Sequence, residues 1–177
     1  GPAMDTIKAP VLIIPDGPQL GVVCDIDDTV MVTHMPRALV ASWNAFVKQS
    51  FARQAVPGMA ALLNRVQKTN PGAPVIYLST GAWNVVPTLR NFFERHNFPH
   101  GPMLMTDWGP TNTGWFRSGL EHKRTQLRRL MIDLPEVKWL LIGDDGQFDR
   151  IIYGDLAHDH GDKVEAIAIR KLTSSEH

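Results

Sequence analysis

Short runs of apolar, mostly β-branched residues alternate along this chain with stretches whose apolar positions recur at helical spacing. That is the pattern of strands interleaved with helices in a parallel α/β sheet. Five runs read as strands: residues 21–25, 74–79, 103–106, 138–143 and 164–170. A further run, residues 11–14, reads as an added edge strand. Helical stripes form from Leu39, Trp43, Phe46 and Val47; from Met59, Leu62, Leu63 and Val66; from Val86, Leu89 and Phe93; and from Leu120, Leu127, Leu130 and Met131. Turn signals fall between elements, "TNPGAP" before the second strand and "NFPHGP" before the third. The chain has no internal repeat and no low-complexity segment.

In an open parallel sheet, ligands bind beyond the carboxyl ends of the strands. That rule sorts the polar residues. Asp25 and Asp27 follow the first strand, Ser79 and Thr80 the second, Thr106 and Asp107 the third, and Asp144 and Asp145 the fourth. Four strand ends would therefore deliver polar groups to one rim.

Bulk properties narrow the setting. At 177 residues the chain suits one well-cored domain, expected over residues 11–172, with a lead-in at 1–10 and a tail at 173–177. The opening Gly1-Pro2 looks like a protease-cleavage scar. Eighteen basic residues balance eighteen acidic ones, which argues against a nucleic-acid partner or a polybasic membrane anchor. One cysteine forms no internal disulfide, and no apolar run approaches the roughly 20 residues of a membrane span. The expectation is a soluble, cytoplasmic protein, with peripheral contact at a membrane left open.

The stretch "GVVCDIDDTVMV" ends a buried strand in three aspartates, Asp25, Asp27 and Asp28. Like charges that close repel and resist desolvation, so a fold keeps them where a cation is expected between them. Asp27 returns to the side of Asp25 through the period of two, and Asp144 and Asp145 end a second strand in "LLIGDDGQFD". Carboxylate oxygens from Asp25, Asp27, Asp144 and Asp145, with waters, suit Mg²⁺, a hard ion that usually binds together with a phosphate. Zinc would want clustered histidine or cysteine. Around a Mg²⁺-phosphate site the other residues acquire roles. Ser79, with Thr80 beside it, would hold a phosphate oxygen, and Lys123 would neutralise the transferring group. Asp25 would attack phosphorus, and Asp27 would protonate the leaving oxygen and later deprotonate water.

The order D-I-D-D-T, Ser79, Lys123, G-D-D-G-Q-F-D resembles the four motifs of the haloacid dehalogenase (HAD) superfamily of aspartyl-phosphate phosphatases. More closely, "DIDDT", "YLSTGAW", "HK" and "IGDDGQFD" resemble the catalytic domain of the actin-patch phosphatidate phosphatase family and its bacterial relatives, over about residues 11–170. The resemblance implies a HAD-like Rossmannoid three-layer sandwich with sheet order 5-4-1-2-3 and a minimal cap. It implies Asp25 as nucleophile, Asp27 as acid/base, Ser79 and Lys123 as phosphate ligands, and Mg²⁺ on Asp25, the Asp27 carbonyl and Asp144. The chain departs from many eukaryotic relatives at Ser79-Thr80-Gly81-Ala82-Trp83, where they read S-N-S-P-W, and at Asp145, where they have serine. Both departures lie beside the substrate and bear on lipid specificity.

Several residues carry plainer readings. Asp149 serves either as the start of the helix after the fourth strand or as support for the site. Asp28 reads as solvated or supporting, Cys24 as a core residue, and Arg124, Arg128 and Arg129 as a solvated helix face. His158 and His160 read as a solvated loop at the far end of the sheet. The segment "TDWGPTNTGWFRSG" carries Trp108, Trp115, Phe116 and Arg117, either packing over the domain or contacting substrate and bilayer.

The expected function is a Mg²⁺-dependent phosphomonoester hydrolase acting on a phosphorylated small molecule or a lipid phosphate such as phosphatidate. The alternative is a non-catalytic module that binds phosphate or phospholipid; Asp25 and Asp27 together favour catalysis. A response-regulator receiver would carry its acceptor after the third strand.

Overall fold

The computed structural model describes residues 10–32, 54–107, 115–146 and 148–173, with the side chains of residues 115–117 excepted. The expected stripe of Leu39, Trp43, Phe46 and Val47 lies outside the described residues. Among the described residues, five strands and four α-helices alternate: β1 (Gln19–Asp25), α1 (Met59–Thr69), β2 (Val75–Ala82), α2 (Val86–Arg95), β3 (Met103–Thr106), α3 (Trp115–Asp133), β4 (Val137–Asp144), α4 (Asp149–Asp159) and β5 (Val164–Arg170). A single 3₁₀ turn, Trp83–Val85, joins β2 to α2.

All neighbouring strands pair in parallel, in the order β3-β2-β1-β4-β5, which is the expected 5-4-1-2-3 order read from the other edge. Because strand side chains alternate, the sheet builds a core on each face. One face packs Val22, Cys24, Val75, Tyr77 and Ile142 against Met59 and Leu63 of α1 and Leu89, Phe92 and Phe93 of α2. The opposite face packs Val23, Ile76, Leu78, Trp139 and Leu141 against Leu127 and Met131 of α3 and Ile152, Tyr153 and Leu156 of α4. The result is the expected three-layer sandwich.

The parity of β1 positions the site. Asp25 shares its side with Val23 and so faces the α3/α4 layer, while Cys24 points into the α1/α2 core and is fully buried. Helix α4 starts at the end of the sheet where β1 and β4 finish, and α3 passes it at Lys123, so both helices flank that rim.

Residues 11–14 form no strand. The segment lies between Pro10 and Pro15, and Val11 and Ile13 are about four-fifths exposed at 80% and 84%. β propensity takes effect through pairing and burial, and here the run pairs with no strand among the described residues and only Ile14 packs partly against the α3/α4 core. The stripe of α1 is also narrower than its spacing suggests, with Leu62 exposed and Leu63 buried.

Candidate active site

Asp25 closes β1 almost wholly buried, at 2% exposure. Its Oδ1 accepts a hydrogen bond from Lys123 Nζ at 2.6 Å, and the same ammonium donates to Asp149 Oδ1 at 2.7 Å. Lys123 reaches inward from α3, and Asp149 begins α4. Asp149 does not cap its helix. It turns its carboxylate toward Lys123 and, through Oδ2, toward the Asp144 amide at 3.4 Å. Gly143 makes room for this, because a Cβ there would stand 2.7 Å from the Asp149 Cβ.

Asp144 closes β4, and its Oδ1 accepts from Gly146 N at 2.6 Å. The Thr29 hydroxyl lies between two acids, 3.2 Å from Asp25 Oδ2 and 3.4 Å from Asp144 Oδ2. Carboxylate oxygens of Asp25, Asp144 and Asp149 fall within 4.8 Å of one another, all three residues buried.

One lysine among three buried carboxylates leaves negative charge uncompensated, and the titration behaviour reflects it. Burial pushes the Asp25 carboxyl well above its ordinary value; Lys123 opposes this, and Asp149, Asp144 and Asp27 add to it. Asp144 is pushed up to about 7, by burial first and by the charge of Asp149 next. Burial alone would lower the Lys123 pKa, yet Asp149 and Asp25 outweigh it and raise it, so the ammonium stays charged. An oxygen-only donor set short of positive charge fits a hard divalent cation.

The other half of the site comes from β2. Pairing of β2 with β3 is irregular between Leu78 and Ala82, and this stretch carries Ser79 and Thr80. Ser79 Oγ donates to Asp27 Oδ2 at 3.1 Å and accepts from Gly81 N at 2.9 Å. The Thr106 hydroxyl at the end of β3 lies 3.2 Å from the carbonyls of both Thr80 and Gly81 and steadies the turn. Thr80 itself is half-buried, with its methyl toward Gly119 of α3.

The structure thus brings together Asp25, Asp27, Ser79, Lys123 and Asp144, with Thr80 alongside. Asp145 stands apart from the acidic group, because its Oδ1 accepts the Leu172 amide at 2.8 Å. Trp108 lies outside the described residues; Trp115, Phe116 and Arg117 open α3, but their side chains are not described. His158 belongs to the last turn of α4 rather than to a loop, and His160 follows that helix. With Asp149 at its start, the helix carries both about 15 Å from the site. Arg124 ion-pairs with Asp155 of α4 at 2.7 Å, so the basic face of α3 is partly interhelical.

Sequence reasoning left open or passed over three groups. Asp149 and Thr29 stand inside the motifs "GDDGQFD" and "DIDDT", so their signal was present. Arg170 at the end of β5, whose Nη1 donates to the Asp28 carbonyl at 2.7 Å, carries no local signal.

A parallel sheet of this order, with paired aspartates at the end of its central strand and a further aspartate on the adjacent one, defines a HAD-like phosphatase domain. Residues 20–171 match the family model of the catalytic domain of phosphatidate phosphatase APP1, and the chain belongs to that family. It is 25% identical over 162 residues to phosphatidate phosphatase APP1 of Saccharomyces cerevisiae, covering 88% of this chain and 26% of that protein. It is 28% identical over 168 residues to an uncharacterized protein of Schizosaccharomyces pombe, covering 94% and 27%. The chain therefore spans about a quarter of the length of these curated relatives. Among solved structures, the HAD domain of the effector protein Lem4 from Legionella pneumophila superposes with a TM-score of 0.53 at 17% identity, covering 88% of this chain and 86% of that one. A chain of the Pnkp1/Rnl/Hen1 complex superposes with a TM-score of 0.57 at 14% identity, covering 95% and 53%. At such identities the likeness is one of fold.

Proposed function

We propose that this domain hydrolyses phosphomonoesters through a phosphoaspartate on Asp25, with Mg²⁺ as its cofactor and phosphatidate as the leading lipid substrate. The observation that carries this reading is the buried Lys123 bridge between Asp25 and Asp149 at 2.6 and 2.7 Å, set beside the Asp27–Ser79 pair. It supplies a carboxylate held in place by a cation, and a second carboxylate positioned apart from it.

In the first step a carboxylate oxygen of Asp25 forms a bond to phosphorus as the bond to the leaving oxygen breaks, and Asp27 delivers its proton to that oxygen. In the second, Asp27 takes a proton from water as the water oxygen bonds to phosphorus. The bond from phosphorus to Asp25 then breaks, releasing inorganic phosphate and restoring the carboxylate. Lys123 opposes the upward push of burial on the Asp25 carboxyl and offsets charge on the phosphoryl oxygens. Ser79 orients Asp27 and offers its hydroxyl to the phosphate. Asp25 and Asp144 would hold Mg²⁺ with the Asp27 carbonyl, while Asp149, engaged with Lys123 and the Asp144 amide, supports them. When bound, the ion supplies positive charge between the carboxylates and the phosphate. The lipid substrate is supported by the family match and by the name of the yeast relative.

A panel of soluble and lipid phosphomonoesters, assayed with Mg²⁺ and with chelator, tests the reading. Mg²⁺-dependent phosphate release that Asp25→Asn abolishes is expected. Release surviving in Asp25→Asn would sink the phosphoaspartate, and binding without release would make the domain a phosphate-binding module.

A further inference from the structure

The fifth strand brings a second cation to the rim. Arg170, the last residue of β5, pairs in register with Asp144 and reaches across β4 to the loop after β1, where Nη1 donates to the Asp28 carbonyl at 2.7 Å. The two residues are 142 apart in sequence. Asp28 has φ of +55°, the left-handed region that non-glycine residues enter at a small energetic cost and keep when surrounding contacts enforce it.

The segment that follows ties down the neighbouring loop. Asp145 N donates to the Arg170 carbonyl at 3.1 Å, and Leu172 N donates to Asp145 Oδ1 at 2.8 Å. Leu172 is buried, and a Cβ on Gly146 would stand 2.5 Å from its Cδ1. Residues 170–172 therefore join the loop bearing Asp27 to the loop bearing Asp144, two acidic turns that charge repulsion would otherwise drive apart.

We infer that Arg170 is a positioning residue for the hydrolytic site: by gripping the Asp28 carbonyl it holds the Asp27 main chain where the Asp27 carboxylate meets Ser79. The inference rests on the reading of Asp27 as the acid/base. Asp145 belongs to the same strap, its Oδ1 accepting the Leu172 amide.

Two measurements decide it. In Arg170→Met, which keeps the side-chain bulk and removes the donors, backbone amides of residues 26–31 exchange with solvent faster than in wild type, while those of β2 are unchanged. On a small soluble phosphate ester its kcat falls by about 10- to 100-fold, the scale of a displaced catalytic group, and KM moves by less than about threefold. Arg170→Lys retains a donor and recovers part of the loss; Arg170→Ala recovers part of its kcat when guanidinium ion is added at low concentration and none with sodium. Unchanged exchange in residues 26–31 overturns the clamp. So does a loss of rate that equals the loss of folded protein and that neither lysine nor guanidinium repairs. Should the unmodified protein hydrolyse nothing in the panel, the phosphatase reading fails by itself, and the exchange experiment still decides whether Arg170 holds the loop.

Discussion

Lys123 shows how one side chain organises this site. It is an ammonium 5% exposed, in contact with two buried carboxylates, and either acid alone would be a poor tenant of the interior. Removing one partner of a buried ionic group leaves the rest uncompensated, at a typical cost of about 3–5 kcal/mol. The prediction is that Lys123→Met, melted in urea in the presence of chelator, loses stability on that scale. Asp149→Asn, which keeps an acceptor for the ammonium, loses distinctly less. Equal and small losses in both would mean that the bridge contributes little to the fold. Asp27→Asn acts at another level: its turnover should drop by roughly 10² to 10⁴, the usual range for a general acid/base, with the urea midpoint near wild type.

At the scale of elements, the site is the meeting of the ends of β1, β2 and β4 with the middle of α3, which carries Lys123, and the start of α4, which carries Asp149. Asp144 makes this junction sensitive to pH. Its carboxyl has an ordinary value of 3.8 and is pushed up to about 7 in the fold, so between those limits the folded state binds more protons than the unfolded chain. Its contribution to stability is therefore lost as pH rises through that window, and the full penalty is present above about pH 7. In chelator the melting temperature of wild type should fall, relative to Asp144→Asn, from about pH 4 to pH 7. Saturating Mg²⁺ should flatten the wild-type slope and leave that of the variant alone. Parallel slopes in chelator would remove Asp144 as the source. These elements differ in how legible they were beforehand. The five paired strands and the acids at their tips were readable because a buried parallel strand needs a continuous apolar run and shows its end wherever charge begins. Residues 11–14 have the same local character, but nothing in the run says that no neighbour pairs with it. The role of Asp149 was ambiguous because a helix start and a lysine partner call for the same residue type. Arg170 was invisible for a different reason: an arginine ending the last strand looks like any surface cation until the loop after β1 folds beneath it.

If the substrate is a lipid phosphate, as proposed, the whole molecule raises the question of how its headgroup would reach Asp25. No helix among the described residues is long and apolar enough to cross a membrane. On that reading Trp83 is a residue that would meet the bilayer. It opens the 3₁₀ turn directly after β2, four residues beyond Ser79, and remains 48% exposed although it is a large aromatic. Aromatic side chains favour the membrane interface, where Trp108, Trp115 and Phe116 were also expected to act, with Arg117 beside them to meet anionic headgroups. Transferring the exposed half of a large apolar side chain out of water is worth roughly 1 kcal/mol, or about a fivefold change in partitioning. The last prediction follows from that figure. Trp83→Ala should lower turnover of phosphatidate in vesicles by about fivefold, while its kcat/KM on a small soluble phosphate ester stays within about twofold of wild type. Cosedimentation with the same vesicles should weaken in proportion, because the effect acts on residence at the surface and not on the chemistry. A matching loss on the soluble ester would place Trp83 in the shaping of the phosphate pocket, through the turn that carries Ser79. Undiminished vesicle turnover and cosedimentation would remove it from the docking surface altogether.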